Sequence, residues 1–145
     1  MTANLERFVL AQAPVHQRAM EELRRGHKTG HWMWFVFPQL VGLGRSEMSR
    51  SFAIADLDEA RAYLGHPVLG RRLLEAARLV LATDARTAID VFGDIDAIKL
   101  RSSMTLFARA APGEPVFRDV LDRFFGGRPD PATDERLGHG GVTKP

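Results

Sequence analysis

The sequence predicts an all-α fold, a single-domain irregular bundle of about six to eight helices. Glycine and proline divide the chain into segments whose apolar residues recur at helical spacing. No segment alternates strictly between apolar and polar residues, as a half-buried strand would. The length of 145 residues, 45% of them hydrophobic, fits one globular domain. The chain has no cysteine, which excludes disulfides, thiolate metal sites and cysteine nucleophiles.

The first two helices are predicted at residues 4–12 and from about residue 14 to residue 25. Leu5, Phe8 and Val9 recur at helical spacing in the first of them. Pro14 suits the first turn of the second helix, and Gly26 suits its C-terminal end. A break between two short helices is therefore expected near residue 13.

The middle of the chain carries the clearest helix starts. Ser46 is a candidate N-cap for a helix over 47–54. Asp56 and Glu59 form a capping-box pattern, in which Asp56 accepts from free backbone N–H groups while Glu59 reaches back. That pattern predicts a helix ending at Gly65, and Pro67 is expected to open the next one, to about residue 83.

The C-terminal half is divided in the same way. Gly93 is expected to end one helix, and Asp94 and Asp130 are candidate caps of later ones. The four helices predicted here cover residues 86–92, 95–111, 115–125 and 130–137. Residues 1–137 are thus expected to form the helical domain, and residues 138–145, with little to bury, a flexible C-terminal tail.

The charge pattern bears on partners and location. The net charge is +2, and the 17 arginines and 3 lysines are interleaved with acidic residues rather than gathered on one segment. This distribution makes the chain a poor candidate for nucleic-acid binding. The N-terminus lacks a signal-peptide pattern, and the densest apolar run, at residues 32–37, is far too short to span a bilayer. We therefore expect a cytoplasmic protein with no membrane partner.

The segment from His31 to Gln39 holds both tryptophans and two phenylalanines. In one interpretation it is an aromatic wedge of the core, because such side chains carry large apolar areas. In the other it lines a pocket in which His31, Trp34 and Gln39 meet a ligand.

The glycine turn Gly42-Leu43-Gly44 leads to Ser46 and its predicted helix. A helix start with free N–H groups can hold an anion, which makes Ser46 a candidate ligand residue. The alternative is a turn that only requires positive φ. No Walker lysine follows the glycines, so a nucleotide-binding loop of that kind is not indicated.

Lys99 stands out on the predicted 95–111 helix. At about 100° per residue it falls in an apolar sector with Ile95 and Leu106. A lysine there must extend to solvent, find a partner or lose its charge. Ser102 and Ser103, one turn later, are placed to share a ligand with it. The alternative is a structural lysine whose amine meets Asp96 or Asp94.

The five histidines show no His-x-x-x-His or His-Glu-x-x-His spacing on a helix, so no metal site is predicted. No cofactor-binding motif is present either, and the sequence leaves open whether the protein is an enzyme. His66, just before Pro67, is expected to lie beside a helix cap.

Taken together, these motifs resemble a widespread bacterial family of uncharacterised proteins that is sometimes labelled calpastatin-like, and within it the mycobacterial type. The motifs of the resemblance are HWMWFVFPQ at 31–39, GLG at 42–44 with Ser46 and Ser49, AYL at 62–64, HPVLG at 66–70, FGD at 92–94, KL at 99–100 and SSMTLF at 102–107. The resemblance implies an all-α fold and no particular activity. Inhibition of calpain is rejected, because calpastatin acts through disordered repeats and this chain has neither repeats nor a disordered composition.

Three functions remain as hypotheses. The first is binding of a small anion, such as a nucleotide, in a polar-lined pocket. Its candidate residues are His31, Trp34, Gln39, Ser46, Lys99, Ser102 and Ser103. The second is a protein-interaction module that exposes the aromatic segment and has a purely structural polar core. The third is weak binding of nucleic acid by the scattered arginines.

Overall fold

The structure, a computed structural model, describes residues 4–138. Nine helices occur in that range: α1 (Glu6–Gln12), α2 (His16–Arg25), α3 (Met33–Val36), α4 (Glu47–Ser51), α5 (Leu57–Gly65), α6 (Leu69–Ala82), α7 (Ala88–Ala110), α8 (Pro115–Phe125) and α9 (Pro131–Leu137). The same residues contain no strand, only an isolated parallel bridge between Leu40 and Ile54. The all-α, single-domain prediction is confirmed.

Several helix ends follow their sequence signals. Gly26 takes the left-handed conformation after α2, and the side chains of Ser46 and Asp56 accept the N–H groups three residues ahead of them. The capping box differs in one respect from the prediction. Glu59 reaches back to the N–H of Ala55, at 2.6 Å, rather than to that of Asp56.

Helix α6 begins two residues later than Pro67 suggested. His66 Nδ1 accepts the backbone N–H groups of Val68 and Leu69, at 3.1 and 3.3 Å. Because an imidazole nitrogen thereby replaces the missing helical acceptor at this end, the predicted place of His66 beside a cap is confirmed.

Gly93 ends one helical stretch and a second begins after it, as predicted. Its φ of 83° and ψ of 169° are not helical, so α7 consists of two helical stretches joined at a kink. A Cβ at this position would meet no atom within 4 Å, so glycine is required by the backbone conformation and not by crowding. The predicted tail, residues 138–145, falls outside the described residues apart from Gly138.

The core surrounds the second half of α7. Phe107 is fully buried, and its ring centroid lies 5.5 Å from that of Tyr63 on α5 and 5.8 Å from that of Phe117 on α8. The aromatic segment packs into the same core through Trp32, Met33, Phe35 and Phe37, all buried. The core-wedge interpretation is therefore confirmed for these residues, whereas Trp34 of the same segment is only half-buried.

A buried amide fixes the position of α3. Gln12 Nε2 donates to the carbonyl of Phe35 at 2.7 Å and approaches the hydroxyl of Tyr63 at 3.0 Å. Burial raises the pKa of Tyr63 well above its ordinary value, so this hydroxyl stays protonated at neutral pH. These contacts join α1 and α5 to α3, the helix that carries Trp34.

Candidate functional site

Two lysines share one carboxylate. Lys28, in the loop after α2, lies 2.7 Å from Asp96 Oδ2, and Lys99 lies 3.8 Å from Oδ1 of the same residue. Lys28 also donates to the carbonyl of Gly30 at 2.6 Å. Since Lys28 is held much more closely than Lys99, Asp96 chiefly balances the charge of Lys28.

Each of these ammonium groups lies over a tryptophan ring. The Nζ atom of Lys28 is 4.9 Å from the ring centroid of Trp32, and that of Lys99 is 5.2 Å from the ring centroid of Trp34. Both distances are within the range of favourable cation–π contacts. The Lys99 side chain keeps 20% of its surface exposed, so its charge lies at the edge of the protein rather than in the core.

Glu22, near the end of α2, anchors the loop that presents Lys28. Its carboxylate is 1% exposed and accepts the backbone N–H groups of Thr29 and Gly30 and the indole N–H of Trp32, each at 2.9 Å. Burial alone would raise the pKa of Glu22, but these bonds and one from the Thr29 hydroxyl outweigh it and lower the pKa to about 2. Glu22 is therefore ionised at neutral pH and holds the loop closed.

Two buried polar atoms have no hydrogen-bond partner among the described residues: the indole Nε1 of Trp34 and the hydroxyl of Ser103. The Trp34 ring lies under Lys99 Nζ, and Ser103 follows Lys99 by one helical turn, so Lys99 and Ser103 share a face of α7. The Lys99 ammonium is directed towards Asp96, one turn earlier on the same helix. We refer to Trp34, Lys99 and Ser103 as the Lys99 cluster.

Of the predicted site residues, the structure brings Trp34 and Lys99 into contact, and Ser103 lies one helical turn after Lys99. Ser102 turns away from them, and its hydroxyl donates to Asp130 Oδ2 at 2.9 Å, at the start of α9. Although Ser102 and Ser103 are consecutive, they serve different neighbours, because successive positions on a helix point about 100° apart.

The other predicted residues lie apart from this cluster. The side chain of Ser46 caps the short helix α4 by accepting the N–H of Ser49 at 3.1 Å, and it is exposed. His31 is exposed, and Gln39 is half-buried, with its backbone carbonyl accepting the N–H of Ile54. Both belong to the same segment as Trp34, but no side-chain hydrogen bond joins either to Lys99 within the described residues.

The helical wheel was correct for Lys99 in one respect and wrong in another. The structural alternative predicted Asp96 as its partner, and Asp96 is the acid beside it. The sector in which the wheel placed Lys99 is not uniformly buried, since Ile95 is 69% exposed. The difference arises because a helical wheel gives the angular position of a residue but not how far along the helix a neighbouring element covers that face.

Sequence reasoning missed Glu22 and Lys28. Both looked like ordinary surface charges, and neither belongs to a motif with a known spacing. One signal could have found Lys28. Only three of the twenty basic residues are lysines, and this scarcity singles out Lys28 as much as it does Lys99.

Three surface clefts were located, and the Lys99 cluster lines none of them. One, of about 390 Å³, lies beside Leu40, Asp56 and Arg136. A second, of about 420 Å³, lies between α7 and α8. A third, of about 610 Å³, borders Arg18 and Glu22.

Over residues 4–138, no group of three or more His, Asp or Glu side chains is arranged to hold a metal ion. The helices of that range also include none that is long and apolar enough to cross a membrane.

Known proteins were compared with the chain. The family model described as "Protein of unknown function (DUF1810)" matches residues 2–137. The chain is also similar to a solved structure, that of the conserved hypothetical protein Rv1873 from Mycobacterium tuberculosis. The two are 50% identical with a TM-score of 0.92, and the match covers 93% of this chain and 96% of that one. No curated protein matches. The predicted resemblance to an uncharacterised bacterial family is confirmed.

Proposed function

The chain belongs to the DUF1810 family of proteins of unknown function, and we propose that it binds a small oxyanion, the phosphate or carboxylate group of a metabolite, at Lys99, Trp34 and Ser103. The observation that carries this proposal is the buried, unpartnered indole N–H of Trp34, whose ring lies under Lys99, together with the unpartnered hydroxyl of Ser103 one helical turn after that lysine. An anionic oxygen can accept from an ammonium, an indole N–H and a hydroxyl together.

The free energy of the buried groups favours such a ligand. A buried donor without an acceptor destabilises a protein by about 1–3 kcal/mol, so such atoms are rare in native folds. Two occur here, one in Trp34 under the Lys99 ammonium and one in Ser103, one helical turn after Lys99. A ligand that supplies acceptors to both would recover this free energy when it binds.

The pairing of the charges leaves Lys99 as the open position. Lys28 and Lys99 carry two positive charges, and Asp96 and the ionised Glu22 carry two negative ones. Glu22 is nearby, but its oxygens are directed at four N–H and O–H donors of the loop. Because Lys99 is the less closely paired of the two lysines, it is the one available to an incoming anion.

The geometry narrows the class of ligand. The Lys99 ammonium already covers one face of the Trp34 ring, which is the surface a nucleotide base would need for stacking. Recognition at this site is therefore of the anionic group, and a nucleotide would bind through its phosphate. His31 and Gln39 lie three and five residues from Trp34 in the sequence. They are the predicted residues proposed to contact the rest of such a ligand.

The indole N–H groups provide a direct test. The chain has two tryptophans, so a ¹H–¹⁵N spectrum contains two indole signals, which Trp34→Phe assigns. We expect titration with inorganic phosphate or adenosine monophosphate to move the Trp34 signal to lower field and to leave that of Trp32, already bonded to Glu22, almost unchanged.

Two variants with matched controls complete the experiment. Lys99→Met keeps the apolar stem and removes the charge, and we expect it to weaken phosphate binding about tenfold. Arg78→Met removes an exposed charge on α6 and serves as its control. Ser103→Ala should weaken binding while Ser102→Ala does not. A Trp34 signal that ignores every anion, or equal effects of the Lys99 and Arg78 changes, would instead support a purely structural polar core.

A further inference from the structure

The cleft between α7 and α8 is a second candidate binding site, and it differs from the Lys99 cluster in being mainly apolar. Its wall is mainly apolar and includes Ile89, Ala97, Ile98, Phe124 and Phe125. Its volume of about 420 Å³ falls within the range of small-molecule sites. This cleft is separate from the Lys99 cluster.

The apolar side chains of this cleft are incompletely covered. Ile98 is 64% exposed and Ile89 is 54% exposed, although both lie on α7, whose second half is the centre of the core. Large aliphatic side chains that share an exposed concave surface commonly mark a binding site, because the release of water from them lowers the free energy of the system.

One cation and one anion line the same cleft without pairing. Within the described residues Arg101 forms no ion pair with Asp130 at 4 Å or less. Arg101 donates from Nε and Nη2 to the carbonyls of Arg128 and Pro129, each at 2.9 Å, which leaves Nη1 without a protein acceptor there. Asp130 accepts from Ser102 and Thr133 through Oδ2 alone, so Oδ1 has lone pairs to offer.

From this arrangement we infer that the cleft binds a free α-amino acid with a large apolar side chain. The carboxylate of the ligand pairs with Arg101, its ammonium pairs with Asp130, and its side chain packs against Ile98 and the two phenylalanines. A zwitterion can bridge two opposite charges that are too far apart to pair directly. A simple carboxylate would satisfy Arg101 but would place a second negative charge beside Asp130.

The charge requirement is tested with ligand analogues, because Arg101 and Asp130 also hold the segment before α9. L-phenylalanine is titrated into the full-length protein and followed by the amide and methyl signals of Ala97 and Ile98. We expect saturable shifts at these residues. We also expect binding at least about fivefold weaker for 3-phenylpropionate, which lacks the ammonium, and for phenethylamine, which lacks the carboxylate.

The location is tested with two isoleucines of the same helix. Ile98→Asn removes an apolar wall of the cleft and should weaken L-phenylalanine binding about fivefold. Ile95→Asn changes an isoleucine of similar exposure that does not line the cleft, and it should leave binding unchanged.

Three results would each overturn the inference: no saturable shift with L-phenylalanine, equal binding of 3-phenylpropionate, or equal loss in both variants. Inorganic phosphate should leave the methyl signals of Ile89, which lines the cleft ten residues before Lys99, unmoved, so this inference and the oxyanion proposal fail or succeed separately.

Discussion

Trp32 donates its indole N–H to the buried carboxylate of Glu22 at 2.9 Å, whereas the indole N–H of Trp34, two residues later, is buried without a partner in the described structure. Both rings lie under a lysine. The two tryptophans therefore differ in whether the indole N–H has an acceptor: that of Trp32 has one, and that of Trp34 does not. This contrast locates the candidate site at Trp34 and assigns Trp32 to the support of the loop.

The Glu22 contact leads to a pH prediction. Its pKa is about 2 in the folded protein and near 4.5 in the unfolded chain. Because the folded pKa is the lower, the stabilisation is present above about pH 5 and is lost as the pH falls towards 2. We expect Glu22→Gln to lower the free energy of unfolding at pH 7 by about 3 kcal/mol and to remove this part of the acid dependence.

Urea denaturation at several pH values between 7 and 2 measures the effect of Glu22→Gln. Glu21→Gln is the matched control, because Glu21 is exposed and has only a surface pair with Arg24. The same acid dependence in wild type and Glu22→Gln would show that Glu22 does not set it.

The two consecutive serines of α7 predict opposite responses to alanine. Ser102 donates to a carboxylate, and Ser102→Ala should reduce the free energy of unfolding by about 1.5–2 kcal/mol. Ser103 is buried without a partner, so Ser103→Ala should leave that free energy unchanged or raise it by up to about 1 kcal/mol. Equilibrium denaturation of the two variants decides, and a clear loss of stability in Ser103→Ala would reveal a hydrogen bond to that hydroxyl.

The parts of this fold that sequence could predict are those that depend on a few consecutive residues. The caps at Ser46, Asp56 and Asp130 each involve a side chain and an N–H three residues ahead, and all three were found where predicted. The meeting of Lys28 with Asp96 joins a loop to a distant helix. No local pattern encodes such a pair, because it depends on how α2 and α7 are packed.

The candidate site shows the same division. The position of Lys99 beside Ser103 followed from helical spacing alone. The approach of Trp34 to Lys99 required the whole fold, although both residues had been singled out separately. Ile95 was placed in an apolar sector but is exposed, because helical spacing does not say where along a helix its apolar face is covered.

Arg109 and Asp134 provide a test of the packing between α7 and α9. Two parallel hydrogen bonds join them, from Nε at 2.8 Å and from Nη2 at 2.7 Å, and the hydrogen bond from Arg109 to Asp134 raises the pKa of Arg109. A lysine cannot reproduce this two-pronged contact, so Arg109→Lys should lower the free energy of unfolding by about 2 kcal/mol.

The control for Arg109→Lys is Arg24→Lys, which alters an exposed pair with Glu21 and should change stability by less than about 0.5 kcal/mol. Thermal and urea denaturation measure both variants. Equal effects at the two positions would mean that the Asp134 contact contributes no more than a surface pair.

The last prediction concerns Gly42, the first glycine of the turn considered above as an anion site. Its φ is 92°, and a Cβ there would clash with the guanidinium of Arg136, whose Nε donates to the carbonyl of Val41 at 2.9 Å. If the glycine serves this packing, Gly42→Ala should lower the free energy of unfolding by about 2 kcal/mol, from backbone strain and loss of the Arg136 hydrogen bond together. Gly126→Ala is the control, because φ is also positive there but no atom lies closer than 3.6 Å, so strain alone should contribute about 1 kcal/mol.

In an Arg136→Ala background the effect of Gly42→Ala should fall to that same value, because only the strain remains. A double-mutant cycle by urea denaturation measures the coupling, and an energy below about 0.5 kcal/mol would mean that Arg136 is not the reason for the glycine.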